Sequence, residues 1–326
     1  MRRREFITLL GGAAAAWPLA ARAQQPAMPV IGFLSTQTRE AFAAYVTAFQ
    51  NGLNAGGYVE GHNLSIQYRW AGTQYDLLPE MAKDLVRNKV SVIAAFTNVA
   101  ALSAQAATGT IPIVFSIGSD PIQLNLVSNL SRPGGNITGI HFFGSALVTK
   151  RIELLQLLVP NVTPIGMLLN IHNPDSEAQL REAVFAAQTL NKSVVALEAA
   201  TEKQIIEIFS QLAPRGIRAL IVQTDSLFTS RPDMLAELAK RHKVPVVYPD
   251  KAQAMSGGLL SYGASIAEAF RHVGAYAARI LAGERAGDLP VHQSTKVELV
   301  LNLRTAKALD LDVSPMLLAR ADEVIE

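Results

Sequence analysis

The 326-residue sequence contains no cysteine, and this absence excludes several kinds of structure and chemistry. There are no structural disulfides, no thiolate metal sites, no cysteine nucleophile and no lipid-modified N-terminal cysteine. The compartment stays open, because a secreted protein of this size can fold without disulfides. The six histidines show neither H-x-x-x-H nor H-E-x-x-H spacing, so no helical zinc motif is present. We therefore predict that the protein uses no metal and no cofactor.

Catalytic motifs are also missing. The sequence has no G-x-S-x-G nucleophile elbow and no Gly-Lys-Ser/Thr phosphate loop. The glycine-rich segment 131–139 lacks the G-x-G-x-x-G spacing of a dinucleotide-binding turn. Acidic pairs such as Asp322 and Glu323 are more typical of solvated helix faces than of a catalytic site. We therefore predict that the protein is not an enzyme, and we keep an α/β enzyme as the least favoured alternative.

The N-terminus has the pattern of an export signal that is removed from the mature protein. Arg2–Arg4 form a basic region, 6–16 is apolar and alanine-rich, and Ala21–Ala23 is an A-x-A cleavage site. The segment 3–7 resembles the twin-arginine signal, although the Sec route stays open. The alternative is an uncleaved membrane anchor, which we disfavour because the apolar run is shorter than the ~20 residues of a membrane span. We predict a signal peptide over 1–23 and a periplasmic product without a direct membrane span.

Removal of this leader changes the charge balance. The full chain has 29 basic and 27 acidic residues, and the leader takes away four arginines and one glutamate. The remaining 25 basic and 26 acidic residues include no cluster of lysine or arginine. We therefore predict no interaction with nucleic acid. An apolar content of 49% with 17% charged residues excludes disorder as the main state.

The mature sequence alternates short apolar strands with amphipathic helices, which predicts an α/β fold. The predicted strands are 30–34, 64–68, 90–96 and 111–115 in a first series, and 165–169, 193–197, 219–223 and 244–248 in a second. The predicted helices are 40–55, 77–88 and 99–107, then 149–158, 176–190, 202–212 and 232–242. Repeated strand–helix pairs imply parallel sheets with right-handed crossovers.

The two series resemble each other. Segment 31–34 matches 165–168 at an offset of 134, 97–98 matches 224–225 at 127, and 111–115 matches 244–248 at 133. This duplication predicts two Rossmann-like lobes that face each other across a cleft. The tail adds a strand, a long helix and a strand, so the chain must cross between the lobes three times, near 139–143, 262–265 and 289–294. We place lobe one at 29–139 plus 264–289, and lobe two at 140–262 plus 290–326, joined by a three-strand hinge.

Polar residues collect where the predicted strands end, which is where ligands bind in open α/β sheets. Hydroxyls and helix N-terminal amides suit a carboxylate, and aspartates pair with an ammonium group. This set favours a zwitterion such as an amino acid. The predicted ligand-binding residues are Ser35, Thr36, Thr97, Asn98, Ser116, Asp120, Asn170, Thr224, Asp225 and Tyr262.

Several of these residues also have a purely structural interpretation. Asp120 precedes a proline and is a good helix N-cap, a role compatible with ligand contact. Thr97 and Asn98 are candidates to cap the following helix and nothing more. Tyr262 is either a core or a cleft aromatic. For Asp225 we favour contact with the ligand's amine.

Taken together, these features resemble the ABC-transporter substrate-binding family that includes tryptophan- and tyrosine-type binding proteins. The resemblance rests on the leader, the duplicated lobes, the motifs at 111–121 and 132–139, and Asn302 with Ala306 and Leu309 near the C-terminus. The family's fold is that of type I periplasmic binding proteins. The positions that match the family's binding residues are Thr97, Asp120, Asn170 and Asp225. The sequence departs from the family at Asn98 and in the serines of 115–120, which leaves the solute open.

The resemblance implies a monomeric periplasmic protein that captures a small solute, amino-acid-like or an aromatic or branched carboxylate, and delivers it to an inner-membrane ABC permease. Hinged closure of the lobes is the expected mechanism. A ligand-sensing partner of a signalling receptor is the alternative on the same fold, and the sequence does not separate the two.

Overall fold

A computed structural model describes residues 28–142 and 147–326 of the chain. The predicted export signal and the residues 143–146 lie outside these ranges. Two sheets, each covered by helices, form two lobes as the duplicated pattern predicts. None of the helices in the described ranges is long and apolar enough to cross a membrane.

The first lobe contains a six-stranded sheet in the order β11-β5-β4-β3-β1-β2, and every pairing in it is parallel. Its strands are β1 (Val30–Ser35), β2 (Ser65–Trp70), β3 (Val92–Phe96), β4 (Ile113–Ile117), β5 (Ile137–His141) and β11 (His292–Gln293). Strands β3, β4 and β5 are buried along their whole length. This burial explains why their sequences are continuously apolar rather than alternating.

The second lobe contains a seven-stranded sheet in the order β13-β12-β10-β9-β8-β6-β7. Its strands are β6 (Ile165–Asn170), β7 (Val194–Ala199), β8 (Leu220–Val222), β9 (Val246–Tyr248), β10 (Leu260–Ala264), β12 (Val297–Asn302) and β13 (Glu323–Ile325). Only β12 runs antiparallel to a neighbour, β10. Strands β6, β8 and β9 repeat the arrangement of β1, β3 and β4 in the first lobe, as the sequence duplication predicts.

The helices follow the strands in the expected alternation. The first lobe has α1 (Ala43–Ala55), α2 (Leu78–Arg87), α3 (Asn98–Ala107) and α10 (Ile266–Leu281), with a 3₁₀ turn at Tyr75–Leu77. The second lobe has α4 (Leu147–Leu158), α5 (Ser176–Thr189), α6 (Glu202–Gln211), α7 (Ser226–Thr229), α8 (Pro232–Arg241), α9 (Lys251–Met255), α11 (Leu303–Ala308) and α12 (Pro315–Leu318). A second 3₁₀ turn, Ala286–Asp288, lies in the first lobe before β11.

Helix α10 returns to the first lobe and packs closely against α1. A Cβ on Gly52 would lie 2.0 Å from the carbonyl oxygen of Arg271, and one on Gly274 would lie 2.1 Å from that of Phe49. The two helices therefore approach each other backbone to backbone, which only glycine permits here. This contact places the long tail helix in lobe one.

The lobe boundaries differ from the predicted positions by a few residues. Strand β5 pairs with β4 as far as His141, so the first lobe extends past the predicted boundary at 139. Strand β11 pairs with β5 through Gln293, so the first lobe also extends past the predicted boundary at 289, and the third crossing lies at the end of the segment 289–294. The second crossing lies at Ser265, between β10 and α10. The predicted and observed boundaries differ because the hydrogen-bonded pairing of strands decides which lobe a residue belongs to, whereas the prediction used the glycine-rich turn before β5.

Candidate ligand-binding cleft

A cavity of about 460 Å³ lies between the lobes. Both lobes line it at the carboxyl ends of their strands, the position at which open α/β sheets bind ligands. The residues that line it in lobe one are Thr36, Gln37, Phe42, Tyr75, Phe96, Thr97, Asn98, Val99, Ser116, Gly118, Ser119, Asp120, Gln123, Leu124, Phe142, Ile266 and Phe270. Those in lobe two are Asn173, Asp175, Ala178, Gln179, Glu182, Thr224, Asp225, Ser226, Thr229 and Asp250.

Seven of the ten predicted binding residues line this cavity. They are Thr36, Thr97, Asn98, Ser116, Asp120, Thr224 and Asp225. The other three do not line it. Ser35 accepts a hydrogen bond from the backbone N–H of Gln37 and so shapes the turn after β1. The Tyr262 ring packs against the core of lobe two.

Asn170 has a supporting position behind the cavity wall. Its Nδ2 donates to Oδ1 of Asp225 at 2.9 Å, and its backbone N–H donates to Oε1 of Gln223 at 2.7 Å. The residue is 3% exposed and is not among those that line the cavity. Asn170 orients Asp225 instead of forming part of the cavity lining.

Asp225 is the most heavily hydrogen-bonded carboxylate of the cleft. Its Oδ1 accepts from Leu227 N at 2.7 Å, which makes it the N-cap of α7, as well as from Asn170. Its Oδ2 accepts from the Tyr75 hydroxyl at 2.6 Å and from Asn173 Nδ2 at 2.6 Å. Four donors occupy the roughly four lone-pair sites of a carboxylate. Because Tyr75 belongs to lobe one, this aspartate joins the two lobes.

Five further contacts join the lobes around the same cavity. Asn98 Nδ2 and Ser119 Oγ both donate to Asp175. The other three pairs are the hydroxyls of Thr36 and Ser226, Gln37 with Thr229, and the Tyr45 hydroxyl with Asp250 Oδ1. The cleft is thus closed, with polar side chains of one lobe bonded to those of the other.

Thr97 has a backbone conformation that L-residues rarely adopt. Its φ is +102° and its ψ is 159°, in a region occupied almost only by glycine. It immediately precedes α3, and its buried hydroxyl has no hydrogen-bond partner among the described residues. Strain of this kind, next to an unsatisfied polar atom, is common at ligand-binding positions.

One wall of the cavity is aromatic. Phe42, Phe96, Phe142 and Phe270 line it, all from lobe one or the crossing segment after β5. The Phe96 and Phe270 rings are stacked with centroids 4.0 Å apart, and Phe96 stacks on Phe33 at 4.3 Å. Phe33 lies fully buried behind the wall, so the wall is fixed by the lobe core. This wall offers a flat apolar surface to a solute.

The opposite wall is acidic. Asp175, Glu182, Asp225 and Asp250 line the cavity from lobe two, and Asp120 lines it from lobe one. Burial raises the pKa of Asp175 and of Asp250 above the usual range, while their hydrogen-bond donors lower it in part. No lysine, arginine or histidine is among the described residues that line the cavity. The guanidinium of Arg151 is buried behind Thr224, to whose hydroxyl it donates at 3.4 Å.

The sequence analysis missed the acidic face of α5. Asp175, Gln179 and Glu182 follow each other at the four- and three-residue spacing of one helix face, and all three line the cavity. Polar residues at this spacing are typical of a solvated surface, so their pattern alone gave no reason to select them. Tyr75 was missed because it lies in a loop, away from any predicted strand end.

Comparisons with known proteins bear on this cleft. A family model described as ABC transporter substrate binding protein matches residues 29–325. The chain belongs to this family. It is therefore a solute-binding protein of the ABC-transporter type, as the sequence resemblance predicted, and the family consists of binding proteins rather than enzymes. Substrate-binding proteins of ABC importers work outside the inner membrane.

A curated relative and three solved structures are similar over most of the chain. A tyrosine-binding protein of Clostridioides difficile (strain R20291) is 29% identical over 263 residues, which is 81% of this chain and 75% of the relative. A conserved domain protein of Vibrio cholerae has a TM-score of 0.83 at 25% identity, with 91% of this chain and 99% of that chain covered.

The other two structures differ in whether a ligand is bound. The domain of a Streptococcus pneumonia ABC protein in complex with L-Trp has a TM-score of 0.82 at 24% identity. A ligand-free, open substrate binding protein of Clostridium difficile, with adhesive properties, has a TM-score of 0.65 at 27% identity. Each comparison covers 91% of this chain and 99% of the other. The predicted type I periplasmic binding fold is thus confirmed.

Proposed function

We propose that the chain binds a small amino-acid-like solute with an aromatic or branched body, and delivers it to an inner-membrane ABC permease. The observation that carries this proposal is the closed cavity of about 460 Å³, which has a phenylalanine wall on one side and carboxylates on the other. The tyrosine-binding relative and the L-Trp complex support an aromatic solute. The mature protein acts as a monomer in the periplasm after cleavage behind Ala23.

The apolar body of the solute lies against Phe142 and Phe270, because both faces of Phe96 are already stacked on Phe33 and Phe270. These rings offer stacking worth ~1 kcal/mol beyond the area that they bury. The amine of the solute lies toward Glu182 and Asp250, because the carboxylate of Asp225 already accepts four protein donors. We therefore move the ammonium contact away from Asp225, which the sequence analysis favoured, and assign Asp225 to closure of the lobes.

A carboxylate of the solute has one suitable place in the cleft. The N-terminus of α3 lies at the cavity, beside the unsatisfied hydroxyl of Thr97. Free backbone N–H groups and the helix dipole favour an anion there. The strained φ of Thr97 turns the chain so that this helix begins at the cavity wall.

Closure around the solute explains how capture and release are linked. The cross-lobe hydrogen bonds at Asp225, Asp175 and Asp250 form only when the lobes meet. A solute that contacts both lobes favours this state, and opening at the permease breaks all of these contacts together.

The cavity supports binding rather than catalysis. Among the described residues that line it, serine and threonine hydroxyls are not paired with a histidine or lysine base, as nucleophilic catalysis requires. A solute that leaves the cleft chemically unchanged is what this arrangement predicts.

Titration calorimetry of the solute-free mature protein tests the proposal. Tyrosine, tryptophan, phenylalanine and leucine are titrated separately, and the solute is recovered afterwards for mass analysis. We expect saturable one-to-one binding of at least one of them and recovery of the unchanged compound. Absence of saturable binding throughout the series, or chemical conversion of the solute, would contradict the proposal.

A further inference from the structure

We propose that the cleft selects solutes with a net positive charge, so that an organic amine with an aromatic or branched body binds more tightly than the zwitterionic amino acid of the same shape. This inference rests on the proposed function and specifies the class of solute. The sequence analysis predicted a zwitterion from hydroxyls and aspartates alone. The structure adds the sign of the charge that the cavity lining carries.

The first observation is the charge of the cavity lining. Five carboxylates from Asp120, Asp175, Glu182, Asp225 and Asp250 line it. The described lining contains no lysine, arginine or histidine. Two cationic or titratable groups act from behind the wall. Arg151 lies close enough to Asp250 to lower its pKa slightly, and His141 interacts with Asp120.

One buried guanidinium against five carboxyl groups leaves the cavity with an excess of acidic groups. Helix N-termini and protein donors stabilise individual carboxylates, but they add only partial charge. A zwitterion brings no net charge into this field, and its carboxylate is repelled by the acidic wall even where the N-terminus of α3 accepts it. An amine cation without a carboxylate keeps the attraction and avoids the repulsion. Because the cleft is closed and poorly solvated, both effects are stronger than in water.

The second observation is an unsatisfied acceptor at the cavity. Gln37 lines the cavity and is 4% exposed, and its Oε1 accepts no hydrogen bond from the described residues. Its Nε2 donates to the Thr229 hydroxyl at 3.1 Å. That hydroxyl donates to the Asp225 carbonyl oxygen at 3.0 Å, so it must accept from Gln37.

This chain of bonds fixes the orientation of the Gln37 amide. Its nitrogen faces Thr229, so the atom left without a partner is the oxygen. Leaving a buried carbonyl oxygen without a donor is unfavourable. A hydrogen-bond donor on the solute, such as an ammonium group, supplies what the cavity lacks, whereas a carboxylate does not.

The third observation is the aromatic wall described above. The faces of aromatic rings attract cations within about 6 Å. Phe42, Phe142 and Phe270 line the cavity, whereas both faces of Phe96 are covered by Phe33 and Phe270. The same surface accepts the apolar part of an aromatic amine. Carboxylates, an acceptor oxygen and aromatic rings thus all favour a cation.

Matched solutes separate charge from shape. Tryptophan, tryptamine and tryptophan amide share the indole ring. Tyrosine, tyramine and tyrosine amide share the phenol ring. The amide retains the volume of the amino acid but carries a net positive charge when its amine is protonated. We expect the amine and the amide to bind at least tenfold more tightly than the amino acid, by calorimetry at about pH 6.5, below the ordinary pKa of an α-amino group.

A variant tests whether the acidic wall causes this preference. Glu182→Gln removes one negative charge from the cavity and keeps the side-chain shape. We expect the ratio of amide to amino-acid affinity to fall at least threefold. The matched control is Glu177→Gln on the same helix, because Glu177 is exposed, pairs with Arg181 and does not line the cavity. This control should leave the ratio unchanged.

The outcomes distinguish this inference from the proposed function. Binding of the amino acid as tightly as the amide, or more tightly, refutes the preference for cations and leaves solute binding intact. Failure of all six compounds to bind refutes both. The comparison of solutes on the unaltered protein stands even if Glu182→Gln does not fold.

Discussion

Tyr75→Phe tests the contact that joins the lobes at Asp225. The hydroxyl of Tyr75 donates to Oδ2 of Asp225 at 2.6 Å across the cleft. Burial, together with the nearby Asp225 charge, raises the pKa of Tyr75 well above its usual range, so the hydroxyl stays protonated and donates throughout the physiological range. Phenylalanine keeps the ring but removes this donor. The closed state then loses a hydrogen bond that the open state does not make.

The expected size of the effect follows from the charge of the acceptor. A hydrogen bond to a charged group contributes about 1.5–3 kcal/mol, and Tyr75 is only partly buried, so we take the lower end. Each 1.4 kcal/mol is a tenfold change in affinity. Solute affinity should therefore fall about tenfold in calorimetry, and small-angle scattering should show a larger open fraction at equal solute occupancy.

Tyr68→Phe is the matched control. The Tyr68 hydroxyl donates to Glu60 at 3.0 Å, also a tyrosine–carboxylate bond, but within lobe one and away from the cleft. This variant should bind the solute with unchanged affinity. Equal affinities of Tyr75→Phe and the unaltered protein would refute the assignment of Asp225 to closure of the lobes.

Two further predictions concern stability. Gly52→Ala should lower the free energy of unfolding by about 3 kcal/mol or more, since its Cβ would meet the Arg271 carbonyl oxygen at 2.0 Å. The control is Gly109→Ala, which has open space around its Cβ and should change the melting temperature little. Burial raises the pKa of the Asp250 carboxyl, so the folded state binds the carboxyl proton more tightly than the unfolded chain does. The contribution of Asp250 to the free energy of unfolding is therefore least favourable at high pH, where the carboxyl must be ionised in the folded protein. Asp250→Asn removes this contribution and keeps a residue that can act as an N-cap. In calorimetry, the melting temperature of the variant should exceed that of the unaltered protein most at about pH 7, and the difference should shrink toward about pH 5. A pH-independent difference would contradict this cause.

The sequence predicts those parts of the fold that depend on local patterns. Continuous apolar runs identify strands such as β3 and β4 because these strands are buried on both faces. Similar segments at nearly constant offset predict two equivalent lobes. The strand-end rule then places Thr36 and Thr224 at the cleft, where the structure has them.

The remaining features depend on how the lobes face each other. Glu182 lies on a polar helix face, and only the position of lobe one turns that face into a cavity wall. The partner of Asp225 is Tyr75, 150 residues away in sequence and in the other lobe. Local patterns carry no information on such a pair. The same limit explains why Asn170 was predicted to contact the ligand although it lies behind the wall.

The most direct test of the account is to fill the cavity and measure binding. Ala178 lines the cavity from α5 and is partly exposed there. Ala178→Trp adds an indole to a space of about 460 Å³ without removing any hydrogen bond of the cleft. Calorimetry with the tightest-binding solute should show saturable binding to the unaltered protein and at least a hundredfold loss in the folded variant. Unchanged binding by the variant would contradict the claim that the solute lies between the lobes.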